Sequence, residues 1–316
     1  MDLILLWQKL VHKRGGLTKD EEWQLRNNDL GTDGELWLLH FFEARLPKHW
    51  IAQHNIWLKG PMQLDILIIN EAGIFNINAK NYQSHYRYAQ NRTYFNGTAN
   101  RTDIFARFKT SMEKLELLHN QIGKPGSLEG MLAFVNPDYS VEIDETAACR
   151  WYRRDQLSFM VDDLMTAATN VPVGYEVDIH STYQKLKRYE IDFPFEVPTC
   201  SASRFAGMRK GIDCERCHRF DVKLSLRLVH CACGHVEKKR EAVVRVICEY
   251  GVIFHERELQ IEEVCEIFGG QVERRYVAET LGERFKLLAK GRNANYRNPK
   301  ALHTENIPKN GIKSLD

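Results

Sequence analysis

The chain has 316 residues, 43% hydrophobic and 27% charged; that length exceeds one ordinary core, and that composition excludes a disordered or fibrous chain. No window approaches the roughly 20 apolar residues of a membrane helix. The apolar run 3–7 is too short for a secretory signal and precedes its basic residues, so a cytoplasmic protein is expected, whose eight cysteines read as thiols or metal ligands rather than disulfides.

Net charge is +2, but residues 200–316 hold 22 Lys and Arg against 16 Asp and Glu, while the rest holds 22 against 26. A basic C-terminal third is the polarity expected of a segment that docks on phosphate. Residues 1–28 read as amphipathic helix, ended by Asn27, Asn28, Asp29 and Gly31. A second helix is predicted over 34–46, where Leu36, Leu38, Leu39, Phe41 and Phe42 make one broad apolar stripe. β-branched and aromatic runs predict strands at 50–58, 63–70 and 73–81, with shorter ones at 85–89 and 93–97. A helix over 102–118, a buried strand at 131–134 and a helix over 155–168 complete this block. Residues 169–199 read as a partly structured linker, 200–245 as a cysteine-rich module and 256–290 as a helical block. The polar tail after Gly291 contains Pro299 and Pro308, which argue against more helix.

The most informative stretch is the hairpin formed by residues 63–70 and 73–80. The simplest register pairs Asp65 with Asn78, and a bulge at Gly73 would shift it by one. Alternation then puts Asn76, Asn78 and Lys80 on one face with Asp65 and Gln63, and Phe75, Ile77 and Ala79 on the other, with Leu64, Ile66 and Ile68 fully apolar opposite Asp65. A polar cluster on a buried sheet costs free energy unless it is satisfied, which makes it a candidate site. Its chemistry is that of metal-assisted phosphodiester hydrolysis: Asp65 offers a carboxylate, Asn78 an amide oxygen and Ala79 a backbone carbonyl to a hard cation such as Mg²⁺ or Mn²⁺. Lys80 would orient the attacking water or stabilise the phosphorane charge, and Glu35 would close the site from the preceding helix. The plainer reading is a structural Asp65–Lys80 ion pair.

The run Gly31-Thr32-Asp33-Gly34-Glu35, the segment Gln63-Leu64-Asp65 and the run from Gly73 through Lys80 to Asn81-Tyr82 together resemble the nuclease-related domain family, a branch of the PD-(D/E)XK nucleases that includes Mrr-type restriction enzymes. The likeness covers roughly 28–165. It implies an α/β restriction-endonuclease-like fold, a mixed sheet flanked by helices, and a Mg²⁺-dependent endonuclease, a hydrolase, with its site at Glu35, Asp65, position 78 and Lys80. The family usually has Glu where this chain has Asn78, an uncharged side chain one methylene shorter; Mrr-type enzymes accept Gln there. The alternative is a degenerate nuclease fold that binds nucleic acid without cutting it. The implied partner is nucleic acid, DNA first. The resemblance also admits a homodimer and a role in defence against foreign DNA. No GxxxxGK loop is present, so any motor or helicase would be a separate partner.

Cys214-Glu215-Arg216-Cys217 is a CxxC knuckle, and Cys231-Ala232-Cys233-Gly234-His235 follows. Two close thiolate pairs brought together by a hairpin suit a closed, structural Zn²⁺ site, a small zinc-ribbon-like β module; His218, Cys200, His230 and His235 are substitute ligands. Leu259, Val264, Ile267 and Phe268, then Gly269-Gly270, then Val272, Tyr276, Val277, Leu281, Phe285 and Leu288 read as a helix-turn-helix-like module. Its exposed Arg274, Arg275 and Arg284, with Lys290, Arg292 and Arg297 beyond, are the nucleic-acid-binding candidates; the alternative is an ordinary helical hairpin with a solvated face. The expected organisation is a nuclease-related domain at 1–168, a linker at 169–199, the Cys₄ module at 200–245, the helical module at 246–298 and a tail at 299–316.

Overall fold

Three β-rich runs form the strands β1 (Ile51–Leu58), β2 (Met62–Asn70) and β3 (Gly73–Lys80), paired antiparallel in sequence order. These coordinates are a computed structural model, which describes residues 3–138, 140–192, 196–291 and 294–301. The chain divides into two units, Arg26–Phe195 and Met1–Leu25 with Glu196–Asp316.

In the first unit, β4 (Tyr86–Ala89), β5 (Arg92–Phe95) and β6 (Thr98–Asn100) form a meander, followed by β7 (Ser127–Phe134), β8 (Val141–Ile143) and β9 (Arg150–Arg153). β7 runs parallel to β3 and β9 parallel to β7, giving a mixed five-stranded sheet of order β1-β2-β3-β7-β9; β8 joins the meander in a second sheet of order β6-β5-β4-β8. The helices of the chain so far are α1 (Leu3–Lys13), α2 (Lys19–Glu43), α3 (Ile104–Gln121), α4 (Leu157–Thr169) and α5 (Ile179–Lys187). Leu38 and Phe42 of α2 and Leu157, Met160 and Leu164 of α4 cover Ile66, Ile68, Phe75 and Ile77 on one face of the main sheet. Leu115 and Leu118 of α3 and Leu186 of α5 cover Leu67, Ile69 and Ile74 on the other. This is the α/β architecture expected, a mixed sheet flanked by helices.

Two features of this unit differ from the sequence reading. α2 is one helix of 25 residues that runs through Asn27–Gly34 without a break. Two mid-helix glycines cost only about 1 kcal/mol each, and the buried stripe beyond them holds the helix. Gly34 is there for contact: a Cβ on it would lie 2.6 Å from Cβ of Asn81, and Asn81 Nδ2 donates to the Leu30 carbonyl at 2.7 Å. Residues 169–192 are no linker. α5 buries Leu186, Lys59 N–H donates to Tyr189 O at 2.9 Å, and Leu58 bridges to Glu190, so this segment closes the sheet.

The second unit contains α6 (Ala202–Gly207), β10 (Lys223–Leu224), β11 (Leu228–His230), β12 (Val236–Lys238), α7 (Lys239–Ile253), β13 (Leu259–Gln260), α8 (Ile261–Ile267), α9 (Arg274–Arg284), β14 (Leu287–Ala289) and β15 (Asn295–Tyr296). One core joins α1 (Leu6, Trp7, Leu10, Val11), Val229 of the β11 hairpin, and α7, α8 and α9. α7 is its axis, buried from Ala242 to Ile253 except at Arg245. A boundary at 245/246 therefore cuts through the middle of a core helix, and α1 packs here rather than with the five-stranded sheet. β14 and β15 fold back on β13 in the order β13-β15-β14. Asn298 fixes this return, its Nδ2 donating to the carbonyls of Gly251, Phe254 and Arg257 at 2.8, 3.2 and 2.8 Å.

The two α2 glycines make a matched pair. Gly31→Ala, with no atom within 4 Å of the new Cβ, should raise stability to urea by about 0.5–1 kcal/mol. Gly34→Ala should lower it by about 1–3 kcal/mol, because the overpacking against Asn81 outweighs the propensity gain.

Candidate active site and metal centre

The β2–β3 ladder runs from Asn70↔Gly73 to Ile66↔Ile77 without a shift, and Asp65 and Asn78 are the next residue on each strand. At that point the Asp65 carboxylate, not a main-chain carbonyl, accepts the N–H of Ala79, at 3.0 Å to Oδ2. The Lys80 ammonium lies 4.0 Å from the same oxygen, donates to Ala79 O at 3.1 Å and hydrogen-bonds Asn78 Oδ1. Three oxygens, one each from Asp65, Asn78 and Ala79, thus converge on one cation. Hard cations select such a donor set.

The pleat does not run as sequence alternation requires. Ile66 and Ile68 lie in the α2–α4 layer, whereas Leu64 and Met62, of the same parity, lie in the α3–α5 layer. β1 turns over at the same level: Ala52 packs in the first layer, Ile56 and Leu58 in the second. Asn55, at φ +55°, stands at the crossing, opposite Asp65 and between the pairs His54↔Ile66 and Ile56↔Leu64. Gln63 does not join the cluster; its Nε2 donates to Asn55 Oδ1 at 3.0 Å. Asn76 is buried under α3, 3.5 Å from the Met112 sulfur, outside the cluster.

Glu35 acts on Asp65 through its charge. Its Oε2 is 2.9 Å from Nε2 of His54, a β1 residue that sequence reasoning did not single out. Burial pushes the Asp65 carboxyl up to about 6, and the Glu35 charge adds to that; Lys80, the Ala79 N–H and His54 oppose it. The usual Asp value is 3.8, so between about 4 and 6 the folded chain binds a proton that the unfolded chain has released, and the contribution of Asp65 to stability falls as pH rises through that window. Asp65→Asn keeps an acceptor for Ala79 N–H and removes the buried charge. It should raise stability to urea at neutral pH, by on the order of 2–3 kcal/mol at most, and remove that component of the pH dependence between about 4 and 6.

The four cysteines meet as expected. Sγ of Cys214 and Cys233 are 3.6 Å apart and those of Cys217 and Cys231 are 3.5 Å apart, with all four within 4.8 Å of one another. A tetrahedron with Zn–S of ~2.3 Å has edges of ~3.8 Å, so the thiols fit the ion. The turns that aim them need left-handed backbone at His218 (φ +57°) and Gly234 (φ +86°). The Arg219 N–H lowers the Cys217 thiol to about 6, favouring the thiolate that a metal takes. His235 faces Glu215 at 3.5 Å and His218 faces Asp213 at 3.6 Å, so neither replaces a thiol. Purified protein should carry one zinc per chain by elemental analysis. Cys231→Ser should lose it and leave the second unit open to limited proteolysis, since such sites contribute folding energy outright.

The C-terminal arginines are engaged with acids. Arg274 pairs with Glu262 at 2.6 Å, Arg275 with Glu279 at 2.9 Å and Arg284 with Glu241 at 3.1 Å. Lys290 and Arg297 are exposed and, like Lys286, have no acidic partner among the described residues. Arg292 lies outside the described residues.

Residues 30–135 match the family model of the nuclease-related domain. The match begins in α2, ends just past β7, and contains Glu35, Asp65, Asn78 and Lys80. No curated protein and no solved structure matches the chain.

Proposed function

We propose that this chain, which carries a nuclease-related domain at residues 30–135, is a metal-dependent nuclease that hydrolyses phosphodiester bonds in DNA. The observation that carries this reading is the convergence of Asp65 Oδ2, Asn78 Oδ1 and Ala79 O on the Lys80 ammonium. A bound Mg²⁺ or Mn²⁺ would lower the pKa of a water and offset charge on the phosphate. Asp65, Asn78 and the Ala79 carbonyl would hold that ion. Lys80, released from the three oxygens, would swing its ammonium to the attacking water or to the phosphate oxygens. Glu35 adds a second carboxylate.

The second unit is read as the docking part. Its order of elements, helix α7, strand β13, helices α8 and α9, then a hairpin pairing back on β13, supports reading it as a helix-turn-helix-like module. Residues 261–285 hold six Glu against three Arg, whereas 286–297 holds four Lys and Arg and no acid. The free positive charge therefore lies on the hairpin after α9 rather than on α9 itself, and phosphate contact is assigned to Lys286, Lys290 and Arg297. A cut through both strands would take two sites, hence a homodimer.

The second reading, a binding-only domain, rests on Asn78: with an amide there, Asp65 and Glu35 are the two carboxylates left to hold a dication. Supercoiled plasmid and single-stranded DNA and RNA, incubated in Mg²⁺ or Mn²⁺, separate the two. The wild type should cut and Lys80→Ala should not, although both bind, and Asn78→Glu should lower the metal concentration for half-maximal cleavage about tenfold or more. A zinc-loaded wild type that cuts none of these substrates, while Asn78→Glu cuts, would establish the binding-only reading.

A further inference from the structure

His54, which the reading above does not use, is paired with Glu35. His54 precedes Asn55 at the level where β1 and β2 turn over. Its Nε2 is 2.9 Å from Glu35 Oε2, and the two side chains are 19% and 15% exposed. Among the described residues, His54 is the one hydrogen-bond partner of the Glu35 carboxylate. His54 is paired with Ile66, the residue that follows Asp65 in β2, and the charges of His54 and Glu35 both act on Asp65, so the pair belongs to the same stretch of the sheet as Asp65.

A hard dication is held by carboxylates first and by neutral oxygens second. Here position 78 brings no charge, and Glu35 is the remaining acid whose charge reaches Asp65. A Glu side chain on a helix surface has several rotamers, and fixing it costs on the order of 1–2 kcal/mol. The imidazole removes that freedom in advance. A packing role alone does not account for the arrangement, because the charge of Glu35 opposes that of the buried Asp65, which destabilises the metal-free site. Sites that break a local rule in this way are where function is expected.

We infer that His54 is a positioning residue of this site: its imidazole holds Glu35 beside Asp65, so that the Glu35–Asp65 pair, rather than Asp65 with residue 78, supplies the negative charge that binds the dication. This rests on the metal-dependent reading of the site but not on cleavage itself.

The test is calorimetric titration of Mn²⁺ into the full, zinc-loaded chain, with plasmid cleavage as a second readout. His54→Ala should weaken Mn²⁺ binding about tenfold or more, the usual scale for residues that orient a metal ligand, and leave the KM for DNA unchanged. His54→Gln, whose amide N–H still reaches Glu35, should recover most of the affinity. Glu35→Gln should show the same loss, and the double variant His54→Ala/Glu35→Gln should be no weaker than Glu35→Gln alone. Additive losses, or a His54→Ala chain that is folded by circular dichroism and binds Mn²⁺ like the wild type, would overturn the inference. So would a wild type that binds no Mn²⁺. A wild type that binds Mn²⁺ through His54 and Glu35 but cuts nothing would uphold the inference and overturn the nuclease reading.

Discussion

The first unit depends on one substitution in its hydrogen-bond ladder: at the level of Asp65 a carboxylate oxygen takes the Ala79 N–H. A charged group in the middle of β2, whose other residues except Gln63 are buried, is tolerable only if satisfied. The Ala79 N–H and the Lys80 ammonium satisfy it and thereby tie it to β3. The same level is where β1 and β2 exchange faces, with Asn55 in the left-handed region opposite Asp65. At this break Asp65 is reached by the Lys80 ammonium from β3 and by the charges of Glu35 and His54 from the α2 side.

The hairpin itself was legible. Alternation and a two-residue turn fix the register, and the ladder from Asn70↔Gly73 to Ile66↔Ile77 follows it without a shift. The turnover was not, because it follows from the φ of Asn55, and nothing in the run Ile51-Ala52-Gln53-His54-Asn55 marks that residue as left-handed except that Asn tolerates it. His54 was missed for the same reason. A histidine in a polar stretch of an edge strand has no periodic signal, and its partner is 19 residues away on a helix. Gln63 was assigned to the cluster by alternation, and the turnover is what removes it. Gly31 read as a helix breaker and Gly34 as a helix start; Gly34 is a contact glycine inside one continuous helix, which its neighbour Asn81 reveals and local propensity does not.

In the second unit the thiols were legible from spacing, since four sulfurs in two short knuckles have few other uses. The helical part was only partly so. The run Ala242-Val243-Val244-Arg245-Val246-Ile247 of α7 is rich in β-branched residues and has no polar face, so its period cannot distinguish a buried helix from a strand. α1 was assigned to the first unit by sequence proximity. Its contacts with this core, such as Trp7 Nε1 donating to Ile253 O at 3.2 Å across 246 positions, leave no trace in local pattern.

What specifies that long-range docking is charge as well as apolar area. Lys13 contacts Asp213 at 3.0 Å and Glu249 at 2.6 Å, Arg14 contacts Glu249 at 2.8 Å, and Arg245 contacts Asp213 and Glu249 at 3.0 and 3.2 Å. Asp213 and Arg14 are fully buried. Burial raises the Asp213 carboxyl, but Lys13 and Arg245 outweigh it and hold the group below its usual value. A buried network of this kind adds little net stability over an apolar core, yet removing one partner strands the others and costs about 3–5 kcal/mol. It therefore acts against wrong packing more than for right packing. Because Asp213 directly precedes Cys214, the same charges that admit α1 also set the first zinc knuckle at the end of α7. The N-terminal helix and the cysteine hairpin are thus parts of one folding unit, although 200 positions separate Lys13 from Asp213.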